Sequence, residues 1–159
     1  MNRICTVCNG SFEITRREYK TTHPDFDLYC SVACLLRFIS KGGPDQPIKT
    51  VPKPSWMRGI IGKRSSYEEI TERFFAVHGI RSAYEPFSLR LVDGRRYIPD
   101  FCLPDFNNLM IECKGVWSWK GREKLAKVLE VIPEKSLLLI PEYLIGQMRI
   151  CLNHPVSQE

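Results

Sequence analysis

Three charged residues stand inside stretches that otherwise read as buried β-strand, and they constrain this chain more than any other feature. Asp100 lies in Tyr97-Ile98-Pro99-Asp100-Phe101-Cys102-Leu103-Pro104, and Glu112 and Lys114 lie in Leu109-Met110-Ile111-Glu112-Cys113-Lys114. Ionised groups in apolar strands cost stability unless they pair with one another or bind a metal. Side chains alternate along a strand, so Glu112 and Lys114 share one face and Cys113 takes the other. With Pro99-Asp100 on a neighbouring hairpin strand, Asp100 can come beside them. Two carboxylates and a lysine on one sheet face suit hydrolysis of a phosphodiester. Their hard oxygens can hold a magnesium or manganese ion, which binds the scissile phosphate and acidifies a bound water, while Lys114 orients that water or offsets developing charge. Glu-x-Lys alone is a common pair whose ordinary use is a salt bridge at a strand end. The apolar flanks set this one apart.

The elements around these residues follow from periodicity. Ser65-Ser66 caps a helix whose apolar positions Tyr67, Ile70, Phe74 and Val77 recur at helical spacing, and Gly79 stops it. Residues 83–92 and 95–103 read as two strands joined at Asp93-Gly94, a strong hairpin signal, and Leu109–Lys114 follows a turn at Asp105–Asn108. Leu125, Val128, Leu129 and Ile132 place a helix over residues 120–132. Ser136–Ile140 is a short apolar run of the buried-strand kind. A short helix over Glu142–Leu152 follows an α-β-β-β-α-β order, an α/β class.

Cys5-x-x-Cys8 and Cys30-x-x-x-Cys34 supply four thiolates in two knuckles, the set a structural zinc ion requires. Tyr29-Cys30-Ser31 before an apolar run predicts that the second pair opens a short helix. Seven cysteines is an odd number, which fits metal ligation better than a disulfide framework. His23 could replace one of the cysteines, but with four already present it is read here as a surface or packing residue. Cys102, Cys113 and Cys151 are read as buried thiols or spectators, and His78 and His154 carry no assigned role.

Charge is uneven. Residues 1–40 carry five Lys and Arg against four Asp and Glu, residues 41–64 six against one, and residues 65–159 twelve against thirteen. Residues 41–64 also have the Pro and Gly density of a linker. The chain therefore divides into a zinc module over 1–40, a basic linker over 41–64 and a catalytic domain over 65–159. The excess charge points to nucleic acid, against the plainer reading of a solvated linker. Candidate phosphate contacts are Lys49, Lys53, Arg58, Lys63 and Arg64 in the linker. Lys120, Lys124 and Lys127 form one face of the second core helix, equally readable as solvated. Trp117 and Trp119 flank the site, one expected in the core and the other open to DNA contact. No apolar run approaches the roughly 18 residues that cross a bilayer. No membrane contact is expected, and the N-terminus lacks the apolar centre of a signal peptide.

Taken together, Ser65-x-x-Glu68, Gly79-Ile80, Tyr97-x-Pro99-Asp100-Phe101-x-Leu103-Pro104 and Glu112-x-Lys114-Gly115-x-Trp117 resemble the phage endonuclease I family, the junction-resolving branch of the PD-(D/E)XK nucleases. The resemblance covers about residues 65–140. It implies a restriction-endonuclease-like core, Asp100 and Glu112 as metal ligands, Lys114 as the catalytic lysine, and Glu68 as an acidic residue serving a second metal or its water. By the same resemblance the backbone carbonyl of Cys113 is a further metal ligand. Glu69 competes with Glu68 for that role, but it lies four residues before Arg73, the spacing of a helix-surface ion pair. The cysteine module is similar to treble-clef-like fingers appended to phage and mobile-element nucleases, and it is not expected in the endonuclease I family.

The implied function is magnesium-dependent cleavage of duplex DNA by a homodimer, at four-way junctions or, as finger and linker would suit, at a chosen sequence on linear DNA. The implied location is the cytoplasm, the host's if the gene is a phage's. A non-catalytic zinc-finger DNA-binding protein is the alternative of another class, and a nuclease that nicks only with another subunit is a third.

Overall fold

The structure, a computed structural model, describes residues 1–22, 27–42, 44, 48–53, 64–115, 118–133 and 135–154. It begins with a small antiparallel hairpin, β1 (Asn2–Ile4) and β2 (Ser11–Glu13), followed by helices α1 (Arg16–Thr21) and α2 (Val32–Ser40). Helix α1 has no apolar periodicity to announce it. Its signal is Thr15-x-x-Glu18, a reciprocal capping box in which Thr15 Oγ1 accepts from the Glu18 N–H and Glu18 accepts from the Thr15 N–H. Ser31 caps α2 in the same way, accepting from the Cys34 N–H.

The larger part is a four-stranded mixed sheet in the order β3 (Ala83–Tyr84), β6 (Phe101–Leu103), β7 (Leu109–Lys114), β8 (Leu137–Pro141). The first three strands run antiparallel. β7 and β8 are parallel because helix α4 (Trp119–Leu129) carries the chain across between them. Alternation along β7 fixes the layers. Leu109, Ile111 and Cys113 face a core shared with Phe74 and Phe75 of α3 (Ser66–Val77) and Leu144, Ile145 and Met148 of α5 (Glu142–Asn153). Met110 faces the opposite core, with Leu125 and Val128 of α4. Glu112 and Lys114 share the Met110 side.

The two long hairpin strands expected over 83–92 and 95–103 are each broken. β4 (Leu89–Arg90) and β5 (Arg96–Tyr97) form a separate two-stranded sheet at the tip, closed by Gly94 at φ 81°. Pro86 and Pro99 have no N–H to give a ladder, so pairing stops beside them. The registers on either side, Leu89↔Tyr97 and Tyr84↔Phe101, leave residues 85–88 opposite 98–100, one residue more on the first strand. This bulge has Glu85 at φ 41° and takes Asp100 out of the strand in which it was expected. Asp100 stands immediately before β6.

The cysteine-bearing segment is seated on α5. Cys5, Tyr29, Cys34, Leu35 and Ile39 belong to the same buried cluster as Phe74 and Met148. Tyr143 Oη donates to the Tyr29 carbonyl at 2.7 Å, and the Gln147 amide bridges Val32 N–H at 3.1 Å and Cys30 O at 3.3 Å. Some of the described linker residues also lie against the larger, sheet-bearing part. Val51 forms an antiparallel bridge with Ser88, and Ile48 packs on the α4 side. Among the described residues no helix is long and apolar enough to cross a membrane.

Candidate active site

Glu112 is buried near the centre of the site, and both of its oxygens are held. Oε1 lies 2.9 Å from Lys114 Nζ, and Oε2 accepts from the Tyr97 hydroxyl at 2.7 Å. Tyr97 reaches it from β5, and burial, followed by the Glu112 charge, pushes its phenol well above the usual range. Across the hairpin, Asp100 Oδ2 accepts from the Cys113 backbone N–H at 2.7 Å. Burial first, and then the charge of Glu112, raise the Asp100 carboxyl to about 7, against the lowering effect of the Cys113 N–H and Lys114. Burial pulls Lys114 down, but Glu112 and Asp100 outweigh it, and its ammonium is held above its ordinary value.

Glu68 joins from the first turn of α3. It forms a capping box with Ser65, and its Oε2 accepts from the Tyr84 hydroxyl at 2.9 Å. Its charge is among those that raise Asp100. Glu69 is exposed. The helix therefore presents Glu68, and not its neighbour, to the sheet. Cys113 lies between the acids with its thiol turned to the other side, 3.4 Å from Thr71 Oγ1. At the end of β7, the ring of Tyr67 crosses so close to Gly115 that a Cβ there would sit 2.5 Å from the ring.

Sequence reasoning placed these four charged groups but gave no role to the tyrosines. Tyr97 and Tyr84 hold Glu112 and Glu68. The available signal was a phenol in a strand, beside one apolar neighbour (Ile98 for Tyr97, Ala83 for Tyr84), since a buried hydroxyl needs a partner. The donors suit a hard divalent cation: all are oxygens, and burial first, then the charge of Glu112, make the ionised Asp100 costly in the absence of a balancing charge. Each is also engaged by a protein donor.

The second site is the cysteine cluster. The Sγ atoms of Cys5, Cys8, Cys30 and Cys34 all lie within 4.8 Å of one another, with Cys8–Cys30 at 3.7 Å and Cys30–Cys34 at 3.6 Å. Four sulfurs about 2.3 Å from a tetrahedral zinc stand about 3.8 Å apart, so the spacing fits that ion. Burial raises the Cys5 thiol, but backbone hydrogen bonds at Cys30, Cys8 and Val7 more than offset it and leave it at about 6. Burial and the neighbouring thiol of Cys34 push Cys30 up to about 12. Such a cluster gives up its first proton easily and resists the next until a cation balances the charge.

The candidate phosphate contacts fall in different surroundings. Lys49 and Lys120 are exposed. Lys53 pairs with Glu85 at 2.9 Å, and Arg64 pairs with Glu72 and lies over the Tyr84 ring. On α4, Lys124 sits 5.5 Å over the Tyr97 ring, whereas Lys127 is tied to Asp93 at 2.8 Å and Glu123 at 3.2 Å, so the lysine face is only partly free. Arg58, Lys63, His23 and Trp117 lie outside the described residues. Trp119, at the start of α4, is 79% exposed and packs into no core. His78 Nδ1 donates to the Phe74 carbonyl, 2.8 Å away, and closes α3. Cys102 is buried and Cys151 exposed.

The chain thus joins a buried acid–lysine pair and a second acid beside it to a four-cysteine cluster. The chain is similar to Endonuclease I of Escherichia phage T7, with 29% identity over 87 residues, which make up 53% of this chain and 57% of that protein. The chain thus spans little more than half the length of that relative. No family model matches it, and no solved structure matches it.

Proposed function

We propose that the chain is a metal-dependent endonuclease of the PD-(D/E)XK type, hydrolysing phosphodiester bonds in duplex DNA with four-way junctions as its preferred substrate. The observation that carries this reading is the juxtaposition of Asp100, Glu112 and Lys114 across β6 and β7, with Glu68 brought in from α3. Similarity to a phage Endonuclease I supports the same class of reaction. In this reading 65–159 is a restriction-endonuclease-like catalytic unit and 1–40 a treble-clef-like zinc finger.

Asp100, Glu112, the Cys113 carbonyl and Glu68 would hold magnesium or manganese, with zinc on the four cysteines. A magnesium ion so held supplies a Lewis acid for the phosphoryl oxygen and a more acidic water. The rest belongs to the chain. Lys114 stays cationic because two carboxylates face it, so its Nζ can donate to the attacking water or to a phosphate oxygen as charge develops. Tyr97 fixes one oxygen of Glu112 and Lys114 the other, which limits its rotation before substrate arrives. The Cys113 N–H holds Asp100 by one oxygen and leaves the other for a cation.

Asp100→Asn, Glu112→Gln and Lys114→Ala are expected to abolish magnesium-dependent cleavage while DNA affinity in chelator stays near that of the parent. Normal turnover by any one of them would overturn the assignment. A sequence-specific nuclease on linear duplex is the second reading, favoured by the finger and its docked arm, which lengthen the footprint beyond what a reader of DNA shape requires.

A further inference from the structure

Residues 41–64 read in the sequence as a tether or a phosphate contact, but their described ends are engaged inside the protein. Val51 N–H donates to Ser88 O at 2.7 Å, and Ser88 N–H donates back to Val51 O at 2.9 Å. Arg96 Nη1 donates to Pro52 O at 3.3 Å and to Ser88 Oγ at 3.1 Å. This register brings Lys53 Nζ to 2.9 Å from Glu85 Oε2, with side chains only 19% and 30% exposed. At the far end the Arg64 guanidinium lies 4.1 Å from the centroid of the Tyr84 ring and pairs with Glu72. Lys53 and Arg64 therefore land on two consecutive residues, Glu85 and Tyr84.

Those two residues hold the acids. The Tyr84 hydroxyl donates to Glu68 at 2.9 Å, and the Glu85 N–H donates to the Asp100 carbonyl at 2.9 Å. Glu85 does so at φ 41°, a left-handed conformation that is costly for a residue with a side chain, and more so before proline. Such a conformation persists only where its surroundings hold it. The Lys53 ion pair is the side-chain contact that does so from the arm.

We infer that Lys53 and Arg64 are positioning residues of the catalytic centre. Through Glu85 and Tyr84 they hold Asp100 and Glu68, so these two residues between the cysteine cluster and α3 are a working part of the active site. This inference rests on the endonuclease reading. It assigns the two charges to the protein's own interior and leaves exposed cations such as Lys49 and Lys120 to meet a phosphate backbone.

The test uses the full chain and compares Lys53→Met, Lys53→Arg and the charge swap Lys53→Glu with Glu85→Lys. Three quantities are measured on each: single-turnover cleavage with magnesium, DNA affinity in chelator, and amide hydrogen exchange at Glu85 in chelator. Lys53→Met is expected to slow cleavage roughly tenfold or more, as a small misplacement of reacting groups does. DNA affinity should stay within about twofold, because no phosphate contact is lost. The Glu85 amide should exchange faster, and Lys53→Arg and the swap should recover most of the rate. Weaker DNA binding with an unchanged saturated rate would overturn the inference by making Lys53 a phosphate contact. Unchanged rate and exchange would overturn it by making the arm a tether. A parent protein that cuts no DNA would remove the endonuclease reading itself, and a parent that cuts beside an indifferent Lys53→Met removes this inference alone.

Discussion

The phenol of Tyr97 and the carboxylate of Glu112 meet at 2.7 Å inside the protein, a donor from β5 of the small hairpin and an acceptor from β7 of the main sheet. A buried carboxylate that loses such a partner is less firmly oriented. Tyr97→Phe preserves the ring against Leu125 and Val128 and removes only the donor. It is expected to cost about 1.5–3 kcal/mol of stability, as for other hydrogen bonds to charged groups. Cleavage should slow roughly ten- to hundredfold with DNA affinity unchanged. Urea unfolding and single-turnover assays on the same preparation check both numbers.

Gly115 offers a purely steric test. A methyl group there would stand 2.5 Å from the ring of Tyr67, and that ring is pinned because its hydroxyl donates to Glu142 at 3.0 Å. The strand end that carries Lys114 is the part most able to give. Gly115→Ala should destabilise the fold by about 1–3 kcal/mol, the range for overpacking. It should also reduce cleavage more than Gly146→Ala, where no atom lies within 4 Å of the added carbon. Equal effects of the two substitutions would show that β7 does not move.

Asp100, Glu112 and Lys114 could be singled out in the sequence because each interrupts or ends an apolar run, a local signal, whereas Glu68 stands in a polar helix start and entered only through the family resemblance. The four cysteines were legible because their spacing is local as well. Strand β7 and helices α3, α4 and α5 followed from periodicity, with ends shifted by at most a few residues. The hairpin was legible only at its tip. Two prolines split its strands, and the extra residue at Glu85 that moves Asp100 can be located only once both registers are known. The seat of the cysteine segment on α5 was not legible either. It depends on Tyr143 and Gln147, residues a hundred positions away that look like ordinary helix surface.

That seat leads to a prediction about metal removal. Metal analysis should find about one zinc per chain bound by Cys5, Cys8, Cys30 and Cys34. The cluster shares its core with α3 and α5, so stripping zinc should lower the melting temperature of the whole chain in one transition rather than melt residues 1–40 alone. Scanning calorimetry before and after chelation, with Cys34→Ser as the permanent equivalent, distinguishes the two. Two separated transitions would mean that the shared core is not cooperative.

The raised Asp100 carboxyl gives a pH dependence of definite sign. An aspartate ordinarily titrates near 4 when unfolded, and here burial and Glu112 raise it to about 7 in the folded chain. Between those values the folded state holds more protons than the unfolded one, so this group's contribution to stability is fully present below about 4 and is lost as pH rises through about 7. The urea midpoint of Asp100→Asn, measured in chelator, should therefore gain on the parent as pH goes from 4 to 8. Comparing the two proteins at each pH cancels the titration of the cysteines. Magnesium should narrow the gap at pH 8 by neutralising the same repulsion. A constant difference across the range would place the proton elsewhere.

The choice between junction and sequence turns on how many active sites act at once. A centre of this kind cuts one strand, so paired cuts across a junction need two, and a two-fold homodimer provides them with the fewest assumptions. A monomer guided by its finger has no such need, since groove contacts can place a single centre on a linear duplex. Cleavage of a four-way junction and of linear duplex of the same sequence should be compared at physiological salt with magnesium, because backbone contacts weaken steeply as salt rises. The junction is expected to be cut faster, on opposed strands, by a species that sediments as a dimer. Mixing parent with Glu112→Gln protein adds a second reading of the same question. Mixed dimers should nick one strand of the junction and leave the other whole, whereas independent monomers would only be diluted. Linear DNA cut at one discrete sequence as fast as the junction would favour the finger-guided reading and leave Asp100, Glu112 and Lys114 in the same proposed roles.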